Sequence, residues 1–144
     1  MFSKACEYGI KAIAYIAKES LDGNRVKIGD ISANTDTPGA FTAKILGLLA
    51  KNHIVISQTG PHGGFEITKD KMKEVKLSEI VRIIDGDAIY NGCALGYHEC
   101  NNERPCSMHH KFVKVRADIK KMLTSTTIYD LAQGVKTGKS VLKR

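Results

Sequence analysis

A mainly α-helical fold carrying one small β-hairpin is predicted by three observations. Apolar residues recur at helical spacing in several separate segments. A Gly/Pro-rich turn lies between two β-prone runs, and a long basic stretch after Cys106 carries a narrow apolar seam. With 144 residues, 42% of them hydrophobic, the chain can bury one core but not two large ones. One compact unit with an appendage is therefore expected.

The elements follow in order. Between Lys4 and Glu19, Tyr8, Ala12, Ile13, Ile16 and Ala17 share one helical face, and Asp22-Gly23-Asn24 closes the segment. Lys27 to Asn34 reads as a short helix. The turn Asp36-Thr37-Pro38-Gly39 then starts another, with Phe41, Ile45, Leu48 and Leu49 inward and Thr42, Ala43 and Lys44 outward. Ile54 to Gln58 and Phe65 to Thr68 flank the turn Thr59-Gly60-Pro61-His62-Gly63-Gly64, which predicts a hairpin with a longer loop. Lys69 to Lys76 is read as a lysine-rich linker, and Leu77, Ile80, Val81 and Ile84 as a helix stopped by Gly86.

Asp87 to Pro105 has no clear periodicity and is expected to be a loop. Beyond Cys106, Phe112, Val115, Ile119 and Met122 recur in 3-4-3 steps, a seam suited to a partner helix. Thr126 to Gln133 could add a short helix, and the last eleven residues look frayed and basic.

The 22 Lys and Arg against 15 Asp and Glu give a net charge of +7, which makes a polyanion a natural partner. No apolar run approaches the roughly 18 residues of a membrane span, and the first residues lack the layout of a signal peptide, so no membrane association and a cytoplasmic location are expected. The sequence holds no C-x-x-C pair, no Ser/His/Asp constellation and no phosphate-cradling strand-loop-helix, so an enzyme is not expected.

Helix, helix, turn, helix and hairpin in that order form the plan of a winged helix-turn-helix, in which one helix enters the DNA major groove and the wing touches backbone or minor groove. Glycines in the wing bring backbone N–H groups close to phosphate without an intervening side chain. The candidate DNA contacts are Lys27, Thr37, Ala40, Ala43 and Lys44 around the paired helices, and Ser57, Thr59, His62 and Gly63 on the hairpin. Residues 1–76 are thus expected to form the DNA-binding domain, and 77–144 the cysteine loop and a long C-terminal dimerisation helix.

Three of the four cysteines fall together as Cys93-x6-Cys100-x5-Cys106. Thiolates are soft ligands suited to iron–sulfur clusters, zinc or Cu(I), and the spacing lacks the C-x2-C pairs of ordinary zinc sites. A cluster ranks first, with zinc or a metal-free thiol–disulfide switch as alternatives. A fourth ligand is open among His109, His98, His110 and Glu7. Cys6, alone near the N-terminus, reads as a small buried hydrophobe.

The segments Ala40-Phe41-Thr42-Ala43-Lys44-Ile45-Leu46, Gly60-Pro61-His62-Gly63-Gly64-Phe65, Pro105-Cys106-Ser107-Met108-His109 and Thr126-Thr127-Ile128 carry a resemblance over nearly the whole chain. The sequence resembles the Rrf-type winged-helix transcription regulators typified by IscR, NsrR, RirA and CymR. The resemblance implies a homodimer that crosses through the long helix and reads a palindromic double-stranded DNA operator. It also implies a repressor that senses redox state, nitric oxide or iron–sulfur status through a two-iron two-sulfur cluster. Cys93, Cys100 and Cys106 match the family's three cysteine ligands. His109 stands at the place of the histidine ligand in one branch, and Glu7 at the N-terminal acidic position of another. Thr59 stands where relatives often have arginine, which implies a different base preference.

Overall fold

In a computed structural model describing residues 1–144, a central helix is wrapped by the other elements. Ser3 starts this helix, α1 (Lys4–Leu21), by accepting the backbone N–H of Cys6 on its hydroxyl. Cys6, Ala12, Ile13, Ile16 and Ala17 are fully buried along it, and burying such side chains stabilises the fold by about 1.5–3 kcal/mol for each large aliphatic one. A second tether holds its start, since the backbone N–H of Ser3 donates to Asp85 at 3.0 Å.

The helices α2 (Ile28–Thr35) and α3 (Gly39–Lys51) are separated by a tight turn. Asp36 takes a left-handed conformation (φ 52°), which Asp tolerates better than most residues. The hydroxyls of Thr35 and Thr37 lie 2.8 Å apart, and that of Ser32 donates to the Thr37 carbonyl.

The inward face of α3 differs from the sequence reading. Thr42, Ile45, Leu46 and Leu49 are buried, whereas Phe41 and Leu48 are 42% and 40% exposed. The stripe is rotated because Thr42, not Phe41, turns towards the core. Phe41 instead meets Tyr8 edge-on, with ring centroids 5.8 Å apart.

The strands β1 (Ile56–Gln58) and β2 (Gly64–Glu66) pair antiparallel with Ser57 opposite Phe65, and together form the small hairpin that the sequence predicts. Its base is stitched to the chain before α2: Val26 and Phe65 exchange both backbone hydrogen bonds, at 3.1 and 2.8 Å, and Arg25 grips Glu66 with two nitrogens. Gly64 makes the stitch possible, because at φ +134° any Cβ would stand 2.7 Å from the Val26 carbonyl oxygen.

The expected linker from Lys69 is instead a helix, α4 (Lys69–Glu74). Thr68 caps it, and Met72 is fully buried, so one apolar residue anchors an otherwise charged turn. Then come α5 (Leu77–Asp85) and the short α6 (Ala88–Asn91), inside a stretch read as loop, followed by α7 (His109–Ser125) and α8 (Ile128–Lys136).

Backbone bonds from Leu77 to Thr126 (2.8 Å) and from Ile128 to Val75 (3.2 Å) bring the end of α7 back beside the start of α5. From there α8 lies along α1 and buries Ile128 and Ala132 completely. It runs into the stretch expected to fray, and the tail beyond it is tied down, with Lys143 donating to the Ala33 carbonyl at 2.9 Å.

Along α7, Leu123 is buried, Phe112 and Ile119 are half-buried, and Val113, Val115 and Met122 are exposed. No helix is long and apolar enough to cross a membrane.

Candidate functional site

The cysteine segment leaves α6 at Gly92 and re-enters helix at His109, where the His109 N–H bonds to the Cys106 carbonyl at 3.1 Å. Midway, the Asn101 side-chain oxygen accepts the N–H groups of Glu103 and Arg104 at 2.8 and 3.1 Å, the local turn that Asn favours. The segment encloses a cavity of about 650 Å³ lined by Cys93, Cys100, Cys106 and His109.

The four donors stand as two pairs. Cys93 and Cys106 have sulfurs 3.8 Å apart, and the Cys100 sulfur lies 3.2 Å from Nδ1 of His109. They are not closed as a group of three or more around one metal position. As a donor set, three thiols and one imidazole facing one cavity fit the four ligands that a two-iron cluster takes.

The Leu95 backbone N–H directed at the Cys93 sulfur holds that thiol below its ordinary range, helped by the N–H of Tyr97 and by Cys106. Cys6 is the opposite case: burial, then neighbouring Asp85, pushes its thiol up to about 12, so it stays protonated and inert.

Of the other candidate ligands, His98 also lines the cavity, and exposed His110 meets His109 edge-on at 5.1 Å. Glu7 lies on α1, ion-paired with Lys4 at 3.0 Å, and is not among the residues lining the cavity.

Two residues that the sequence did not single out complete the surroundings. Arg116, two helical turns beyond His109 on α7, donates to the Cys100 sulfur at 3.1 Å and to the Gly92 carbonyl at 2.6 Å. Asn102 places its side-chain oxygen 2.5 Å from Nε2 of His109. Arg116 carried a signal, since residues seven apart share a helix face, whereas Asn102 carried none.

The expected DNA contacts divide by exposure. Lys27, Ala40, Lys44, Ser57, Thr59 and His62 are exposed, Ala43 is half-buried, and Thr37 and Gly63 are buried. The Thr37 hydroxyl is engaged by Thr35, and the Gly63 N–H by the Gly60 carbonyl at 3.0 Å. A Cβ at Gly63 would meet the Thr59 backbone at 2.8 Å, so this glycine shapes the wing turn.

The profile of the Rrf2 family, described as an iron-dependent transcriptional regulator, matches residues 2–134. An HTH-type transcriptional regulator of Aquifex aeolicus (strain VF5) is 35% identical over 135 residues, covering 91% of this chain and 90% of that one. The regulator IscR of Yersinia pseudotuberculosis is 25% identical over 124 residues, covering 86% and 74%. Among solved structures, CymR (YrzC), the global cysteine regulator of B. subtilis, superposes with a TM-score of 0.75 at 19% identity, covering 92% of this chain and 96% of that one. The T. potens IscR structure gives 0.71 at 17% identity, covering 98% and 92%. These likenesses agree with the winged-helix architecture expected from the sequence.

Proposed function

Because the chain belongs to the Rrf2 family of transcriptional regulators, we propose that it is a homodimeric repressor of palindromic double-stranded DNA. Its control group is a two-iron two-sulfur cluster held by Cys93, Cys100, Cys106 and His109. The observation that carries this reading is that all four side chains line one cavity, in a loop whose two ends are continuous with α6 and α7.

His109 is favoured over Glu7 as fourth ligand because its Nδ1 already stands 3.2 Å from the Cys100 sulfur, while Glu7 is bonded to Lys4. When bound, such a cluster supplies one-electron redox chemistry and sensitivity to iron supply and oxidants. The protein's part is mechanical: Arg116 fastens the loop to α7, the helix whose exposed Val113, Val115 and Met122 suit a second copy. Any rearrangement of the loop then reaches the helix that spaces the two winged units.

On the DNA side, α3 presents Ala40, Ala43 and Lys44 to base edges and phosphate. Lys27 and the wing residues Ser57, Thr59 and His62 flank it. Thr37 and Gly63 contribute by holding the turn and the wing in shape. Ordering of one loop can supply a coupling of about 1–3 kcal/mol, or roughly 5- to 150-fold in affinity.

Operator affinity measured without oxygen, before and after reconstitution with iron and sulfide, tests the reading. A change of that size, absent in the Cys100→Ala variant, is expected. Identical affinity of the two forms overturns control by a cluster, and absence of sequence-preferring binding overturns the operator.

A second reading, a thiol–disulfide switch on the same scaffold, draws on the 3.8 Å approach of Cys93 and Cys106. Peroxide could take two electrons and two protons from that pair to leave one S–S bond and two waters. Zinc on the same donors is the third.

A further inference from the structure

His109 opens α7 with its side chain almost wholly buried, and each ring nitrogen has a different partner. Nε2 lies 2.5 Å from the side-chain oxygen of Asn102, and Nδ1 lies 3.2 Å from the Cys100 sulfur at the cavity wall. A carboxamide oxygen can only accept, so Nε2 must carry the proton of that bond. In the neutral ring the lone pair then sits on Nδ1, the nitrogen beside Cys100.

We propose that Asn102 is a positioning residue that locks His109 in the Nε2–H tautomer, so that Nδ1 is the atom offered to the metal centre. The identity of that centre rests on the cluster reading above, but the tautomer lock does not. A histidine that ligates through one nitrogen is commonly oriented by an acceptor on the other, which fixes both tautomer and ring plane.

Three features of the surroundings make Asn102 the determinant. His109 is 4% exposed, so bulk water does not supply a competing acceptor for Nε2. Its backbone N–H is held by the Cys106 carbonyl at 3.1 Å, which fixes where the ring is rooted at the start of α7. Cys100 is held independently by Arg116, so its place beside Nδ1 does not depend on the ring. Asn102 lies within the turn organised by Asn101, and its side-chain oxygen meets the His109 ring at Nε2.

The test is long-range proton–nitrogen NMR on metal-free full-length protein labelled with 15N-histidine, above the imidazole titration range. Wild type is expected to show His109 as one Nε2–H tautomer. Asn102→Asp, an obligate acceptor, keeps it, and Asn102→Ala gives a mixture, with the other four histidines reporting that the fold is intact. An Nδ1–H tautomer in wild type, or loss of Nε2–H in Asn102→Asp, overturns the lock even if Asn102→Ala does not fold. An unchanged tautomer in folded Asn102→Ala overturns it too. Adding Co(II) alone then separates the two claims. Broadening of the Nδ1 signal with Nε2–H retained supports ligation through Nδ1; a locked tautomer blind to the metal contradicts the metal-centre reading and leaves the lock standing.

Discussion

Arg116 reaches Cys100: one guanidinium nitrogen lies 3.1 Å from the thiol sulfur, and the other 2.6 Å from the Gly92 carbonyl, one residue before Cys93. A single planar fork thus clamps two points of the cysteine loop onto α7, a geometry that lysine's single ammonium cannot reproduce. Replacing Arg116 by Met keeps the stem and removes the fork. Because the side chain is half-exposed, the expected loss is about 1 kcal/mol of local stability, or roughly fivefold faster amide exchange across residues 92–106 with the global melt nearly unchanged. Exchange mass spectrometry checks this, and equal exchange in both proteins means that the clamp has no energetic weight.

Two glycines should respond to alanine with opposite signs. Gly64 stands at φ +134° against the Val26 carbonyl, so Gly64→Ala is expected to cost about 2 kcal/mol and to loosen the hairpin. Gly47 lies inside α3 with nothing within 4 Å of a new Cβ, and Gly47→Ala should stabilise by about 1 kcal/mol. Urea melts of the two variants decide: a Gly64→Ala variant that is not destabilised contradicts the account of the wing, and a Gly47→Ala variant that is not stabilised contradicts that of α3.

Much of the fold was legible because its signals are local. The buried stripe Ala12, Ile13, Ile16 and Ala17 shows itself by helical period, and Gly60 to Gly64 by turn chemistry. The rotation of α3 was hidden, because Phe41 and Leu48 announce that they are apolar but not whether anything covers them. Helix α4 was hidden because its hold on the core is the single residue Met72 among charges. At the site, the three cysteines were legible by spacing. Their grouping into two pairs was not, because sequence distance along an irregular loop says nothing about which sulfurs meet.

Lys44, exposed on α3, should act on DNA as a phosphate contact. Lys44→Ala is expected to weaken binding to all sequences alike and to reduce the slope of log affinity against log salt by about 1. Titrations at several salt concentrations on operator and unrelated DNA test this. Weakening confined to the operator would assign Lys44 to base reading instead.

Thr127 and Asp130 cap α8 reciprocally: the Thr127 N–H donates to the Asp130 carboxylate at 2.9 Å, and the Asp130 N–H to the Thr127 hydroxyl at 3.0 Å. The backbone N–H of Thr127, then its hydroxyl, holds the Asp130 carboxyl below its ordinary range. A group depressed in the folded state contributes stability that is present above its unfolded value and lost as pH falls through its folded one. Wild type should therefore exceed Asp130→Asn by about 0.5 kcal/mol near neutral pH, a small figure because the carboxylate is exposed and screened. The gap should close in acid below the usual carboxylate range. A gap that persists there in urea melts contradicts the assignment.

The central claim is a cluster held by the cysteine loop. Its most direct test is the visible spectrum, with iron and acid-labile sulfide content, of protein purified without oxygen, beside the Cys93→Ala, Cys100→Ala and Cys106→Ala variants. A coloured wild type with matched iron and sulfide is expected, with loss of both in each variant. A colourless wild type with neither iron nor sulfide would contradict it, leaving the family and the fold in place and returning the loop to zinc or to thiol oxidation.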